Sequence, residues 1–144
     1  MIKREAQFTT KFKKWLHVQT EVRDKSYAAA MEIKVTEKKS IPFSAVSQHQ
    51  VDALTAVRDG IFMYKIPDAG WQNPFDMLTM SGQKAYVILA FLTPRKKARV
   101  WFVDIRVFVT MVSNSKEVGV KSANEKLLEE YHLQYGDWCQ MFEV

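Results

Sequence analysis

The sequence predicts a mixed α/β (α+β) fold, a central mixed β-sheet flanked by helices. Helical periodicity is confined to short windows near residues 4–16, 45–58 and 122–131, and between them lie strand-length apolar or alternating runs. The resulting order of helix, strand, helix, several strands and helix mixes both element types along one chain. The 144 residues, 47% of them hydrophobic, suit a single domain with a real core. We therefore take 1–144 as one domain, with 113–144 as a peripheral helix and tail.

The elements follow in order. Phe8, Phe12, Trp15 and Leu16 recur at i, i+4, i+7 and i+8, which predicts an amphipathic helix over 4–16 with those aromatics in the core. Glu5 sits in its first turn, where a carboxylate suits the helix dipole. Residues 17–27 are polar and read as a loop or a short irregular strand. Residues 28–36, Ala-Ala-Ala-Met-Glu-Ile-Lys-Val-Thr, read as a strand. Ser44 is a plausible N-cap for a helix over 45–58 that ends at Asp59-Gly60. Then come strands at 61–66, 75–80, 85–91 and 99–105, with turns at 67–70 and at Ser81-Gly82. The run 85–91 is apolar on both faces and so belongs in the middle of a sheet. Residues 107–112 continue the last strand or begin a short helix. Ser122 with Glu125 resembles a capping box for a helix over 122–131.

Composition narrows the function classes. No apolar run reaches the length of a membrane span, and the N-terminus lacks the apolar centre of a signal peptide. The single cysteine, Cys139, makes no internal disulfide and no Cys-based zinc site. A cytoplasmic location is the expectation. The net charge is +5 and the pI about 9.3, which suits a polyanionic partner. Its cations fall in separate stretches: Lys11, Lys13 and Lys14; Lys38 and Lys39; Arg95, Lys96, Lys97 and Arg99. The last stretch lies between two strands and is either a solvated hairpin tip or a phosphate-backbone contact.

The chemistry centres on Glu32-Ile33-Lys34. Strand side chains alternate, so Glu32 and Lys34 share one face and Ile33 points to the other. Two charges on a strand that otherwise looks buried must be paired or hold a metal. A carboxylate beside an ammonium is what a metal-dependent phosphodiesterase requires: the acid grips a divalent ion, and the cation orients water or steadies phosphate charge. An ordinary ion pair on a strand face is the plainer alternative.

Several segments together carry a resemblance. They are the acid-bearing first helix, Ala-Met-Glu32-Ile-Lys34, the run from Ile41 through Ser-Ala-Val-Ser-Gln-His49-Gln50 to Leu54, Tyr64-Lys-Ile-Pro-Asp68, and Pro74-Phe-Asp76. Over roughly residues 4–110 the chain resembles the PD-(D/E)XK nuclease superfamily, most nearly the small phage and bacterial proteins related to the RecU and archaeal Hjc Holliday junction resolvases. The resemblance implies a restriction-endonuclease-like core and Mg²⁺- or Mn²⁺-dependent cleavage of DNA, branched or junction DNA above all. It makes Glu32 the metal-binding acid, with the Ile33 carbonyl as a further ligand, and Lys34 the catalytic lysine. Glu5 matches the first-helix acid, for a second ion or an outer-shell water, and Gln50 matches a glutamine facing the site. The superfamily usually carries its Asp on a strand before Glu-x-Lys. Here no Pro-Asp precedes the motif, so the resemblance points to Asp76, with Asp24 as the fallback and Asp68 a turn residue. His49 reads as a packing or surface residue, with general base or ligand as the alternative, and Trp71 as a contact for a base or sugar. The cationic stretches, Lys11, Lys13, Lys14, Lys38, Lys39, Arg95, Lys96 and Lys97, would grip the DNA backbone. A junction has two symmetric scissile sites, so a C2 homodimer is expected, with the apolar stretch at 100–112 as a candidate for its interface.

Overall fold

The computed structural model describes residues 2–23, 29–66, 75–131 and 135–136. Its helices are α1 (Ile2–Arg23), α2 (Gln48–Asp59), α3 (Ile105–Glu117) and α4 (Glu125–Glu130). Its strands are β1 (Ala29–Thr36), β2 (Ser40–Pro42), β3 (Ile61–Lys65), β4 (Met77–Ser81), β5 (Lys84–Phe91), β6 (Arg99–Asp104), β7 (Ser122–Asn124) and β8 (Tyr135–Gly136). The main sheet has the order β1-β5-β6-β8, and two ribbons, β2-β7 and β3-β4, lie apart from it. β1 runs parallel to β5, with Ile33 opposite Ile88, whereas β5-β6 and β6-β8 are antiparallel. This is the mixed sheet flanked by helices that the sequence predicts.

The doubly apolar run is central because both of its faces are covered. Val87, Leu89 and Phe91 enter a core shared with Leu54 of α2, Met111 of α3 and Leu128 of α4. Ile88 and Ala90 face the other way and meet Phe8 and Phe12 of α1. The two aromatics sit 6.1 Å apart in a near-parallel arrangement, and Phe12 meets Phe102 at 6.0 Å. Phe12 is therefore core, as expected; the side chain of Trp15 lies outside the described residues.

Several boundaries differ from the sequence expectation. α1 runs on to Arg23 through the polar stretch read as a loop. The helix expected over 45–58 begins with a 3-10 turn at Phe43–Ala45, and α2 proper starts after Ser47. Residues 107–112 are helical: the Asp104 side chain accepts a hydrogen bond from the Arg106 amide at 2.9 Å, and Ile105, Phe108, Met111 and Ser115 form the buried stripe. Burial of that stripe outweighs the β-branched content of the segment. α3 closes with Gly119 at φ +77, a left-handed position that suits glycine, and Val120 donates back to the Ser115 carbonyl at 2.8 Å.

The C-terminal segment is corrected most. Residues 122–124 form β7, paired with β2, and Asn124 rather than Ser122 caps α4 by accepting from the Leu127 amide at 2.8 Å. Ala123 and Leu128 are buried in the main core, so residues 113–131 are part of the domain rather than peripheral. Among the described residues no helix is long and apolar enough to cross a membrane.

Candidate active site

β1 is the edge strand of the main sheet, and its pleat sorts its side chains. Met31, Ile33 and Val35 point into the core beneath α1. Ala30 points to the opposite core, on the face that Glu32 and Lys34 share. On that face Lys34 Nζ lies 2.9 Å from Glu32 Oε1, with the lysine side chain 18% and the glutamate 26% exposed. Partial burial lowers the local dielectric, so the pair attracts more strongly than a free surface pair. It remains open enough to solvent for water or a phosphate oxygen to reach it.

Lys34 also opens onto a hollow of about 350 Å³, lined by Glu5, Thr36, Pro42 and Ser44 among others. Glu5 reaches it from α1. Glu5, Phe8 and Phe12 are spaced by three and four residues, so they share one stripe of the helix. Phe8 and Phe12 anchor that stripe under the sheet, and Glu5, one turn earlier on it, lines the hollow. Two of the expected residues, Glu5 and Lys34, thus line one hollow; Glu32 does not line it and is linked to it through its contact with Lys34.

Other expected residues are placed differently. The Gln50 Oε1 accepts from the Ser47 amide at 3.0 Å, and the Gln50 amide donates to Ser47 Oγ at 3.3 Å. Its side chain is committed to a capping box that fixes the start of α2, which corrects its reading as a residue turned to the site. His49 is exposed on the same turn. Asp76 is an exposed residue just ahead of β4, its carbonyl accepting from the Ile66 amide at 2.8 Å. It belongs to the β3-β4 ribbon and is not among the residues lining the hollow. Among the described residues no three of His, Cys, Asp and Glu gather as a metal cluster. The expected union of Glu5, Glu32 and Asp76 is therefore not formed here. The helix before β1 leaves no strand at Ile2–Arg23 to carry an alternative aspartate; Asp24, Asp68 and Trp71 lie outside the described residues.

The cations separate by role. Arg99 is spent on structure: its Nε lies 2.7 Å from Glu125 Oε1 and its Nη1 donates to Thr93 at 2.9 Å. Trp101 Nε1 donates to the second oxygen of Glu125 at 3.3 Å. Lys11, Lys96 and Lys97, from α1 and the β5-β6 turn, line one groove of about 460 Å³. Arg95 holds a left-handed φ of 61 at the tip of that turn. Lys13, Lys14 and Lys39 are exposed, and Lys38 follows β1, its amide donating to the Thr36 hydroxyl at 3.0 Å. The sequence reading missed the ion pair between Arg4 and Glu37. It joins α1 to the turn after β1, and no local pattern announces a contact between such distant stretches.

The donor set can be tested against a metal. Glu5 and Glu32 supply carboxylate oxygens only, which favours a hard cation over zinc. Mg²⁺ commonly keeps several waters and takes one or two carboxylates plus a substrate phosphate rather than a closed protein cage. One carboxylate lining a solvent-open hollow with Lys34, and a second paired to that lysine, are compatible with that habit. Comparison with family models, curated proteins and solved structures finds no match for the chain.

Proposed function

We propose that the chain is a Mg²⁺-dependent endodeoxyribonuclease of the PD-(D/E)XK kind, acting on branched DNA with the four-way junction foremost. The supporting observation is the Glu32–Lys34 pair on one strand face, with Lys34 shared with Glu5 across a hollow. Glu32 and Glu5 would hold the metal, joined by the Ile33 carbonyl and by Asp76 if the β3-β4 ribbon closes on the site with DNA. When bound, the ion supplies Lewis-acid stabilisation of the scissile phosphate and a water of lowered pKa. Lys34 then exchanges its contact with Glu32 for the attacking water or a phosphate oxygen, holding it in line and offsetting negative charge as it develops. The cationic stretches bind the backbone without reading sequence. Action on a symmetric junction implies a homodimer, which sedimentation at assay concentration tests.

Wild type, Glu32→Ala and Lys34→Ala are assayed on junction, flap, duplex and single-stranded DNA with Mg²⁺ or Mn²⁺. Cleavage by wild type that both variants lose supports the reading. No cleavage in either metal, or variants equal to wild type, ends it. The closed Glu32–Lys34 contact favours a second reading, a non-catalytic DNA-binding module with a structural ion pair. That reading expects DNA affinity with no Mn²⁺ uptake at Glu32.

A further inference from the structure

We infer that a cationic track leads from the candidate site around the end of β1 and carries a single-stranded DNA flank away from it. Three concavities join end to end. The hollow holding Glu5 and Lys34 shares Val35 and Thr36 with a second, of about 210 Å³, that adds Lys38. The second shares Arg4, Glu37 and Leu92 with the groove between α1 and the β5-β6 turn. That groove is also lined by Lys11, Lys96 and Lys97, and Lys14 joins Lys11 in a further concavity along α1. The turn is held by the Lys96 amide, which donates to the Thr93 carbonyl at 3.1 Å.

The lining decides the ligand class. A duplex meets proteins chiefly through its phosphates. This groove instead has apolar Leu92, Pro94 and Ala98 in its lining together with the lysines. Cations and apolar side chains lining one groove match an unstacked strand, whose phosphates meet the cations and whose sugar and base faces meet the apolar groups. The ion pair of Arg4 and Glu37 stands where the second concavity meets the third. A phosphate passing there competes with Glu37 for Arg4, so the acid restrains binding.

The inference takes the location of the scissile phosphate from the nuclease reading, but its test needs no cleavage. Binding of a labelled oligothymidylate of about 16 nucleotides is followed by fluorescence anisotropy in EDTA over a salt series. Circular dichroism confirms that each variant is folded. Lys11→Ala/Lys96→Ala is expected to weaken binding about tenfold and to flatten the log–log salt slope by about 1.4, two single-strand contacts. Glu37→Gln is expected to tighten binding several-fold. A folded double variant that binds as wild type does, or a Glu37→Gln that binds more weakly, overturns the track. Tighter binding of duplex than of single strand, with only the duplex sensitive to Lys11 and Lys96, overturns the single-strand assignment. A chain that binds in this pattern but never cuts loses the nuclease reading and keeps the track. One that cuts while ignoring Lys11 and Lys96 loses the track alone.

Discussion

Lys34 and Glu32 depend on each other as charges before either acts on a substrate. With side chains 18% and 26% exposed, they fall between surface pairs worth up to about 1 kcal/mol and buried pairs whose disruption costs about 3–5 kcal/mol. Truncating one partner leaves the other charge half out of water. Lys34→Met and Glu32→Gln should therefore each destabilise the protein by about 1–3 kcal/mol in urea denaturation. The double variant should lose less than the sum, because no unpaired charge remains. Strict additivity would mean that the 2.9 Å contact carries no coupling. That residues 32 and 34 share a face was legible in the sequence from a strand's period of two; their direct contact, one of the two alternatives the sequence left open, comes from the structure. The place of Asp76 was not legible, since it depends on how the β3-β4 ribbon sits against the rest, and hairpin patterning fixes only the ribbon's own register.

α2 packs Leu54 and Val57 into the main core, and its two ends are held by different chemistry. At its start Ser47 and Gln50 satisfy each other's backbone amides. Ser47→Ala removes the side-chain acceptor and should cost about 1 kcal/mol, visible as a lower urea midpoint with an unchanged slope. At its end Asp59 meets Arg106 of α3, whose Nε lies 2.9 Å from the nearer carboxylate oxygen. The guanidinium holds the Asp59 carboxyl below the usual carboxylate range, first by hydrogen bonding and then by charge. A depressed value in the fold means that the contribution is complete above about pH 4, the ordinary aspartate value, and is lost as pH falls through the depressed value. Asp59→Asn should therefore be less stable than wild type at neutral pH, with the gap closing on acidification below about pH 4. A gap constant across that range in a pH series of urea melts would exclude the ion pair as its cause. Elements with strong local signals were readable in the sequence: the doubly apolar β5, the Ser81-Gly82 turn, the α1 stripe. Those that were missed, or left open between strand and helix, were decided by contacts between distant segments. The 122–124 segment becomes a strand because β2 offers it a partner. The segment after Asp104 becomes a helix because its apolar stripe finds the core.

A net charge of +5 suits a polyanion, and it makes a divalent cation an informative ligand. Any stabilisation of a cationic protein by Mg²⁺ must come from local carboxylates rather than from relief of the overall charge. A ligand that binds only the folded chain raises its stability by an amount set by its concentration over its Kd, about 2.7 kcal/mol at a hundredfold excess. For a domain of this size that is a rise in Tm of roughly 5–10 °C. We expect Mn²⁺ and Mg²⁺ to raise the Tm of wild type, and EDTA to reverse the rise. Glu32→Gln should lose most of the response, because the proposed metal-binding carboxylate paired with Lys34 is gone. Glu5→Gln should lose part of it, since Glu5 approaches from α1 and lines the hollow itself. Asp76→Asn divides the alternatives for the third oxygen. Loss of the response only when DNA is present would mean that the β3-β4 ribbon joins the site on binding. An unchanged response with and without DNA would leave Glu5, Glu32, main-chain oxygen and water as the whole donor set. A Tm insensitive to both metals, in wild type and in the presence of DNA, would remove the metal from the proposed chemistry and leave the Glu32–Lys34 pair as a structural contact on an edge strand.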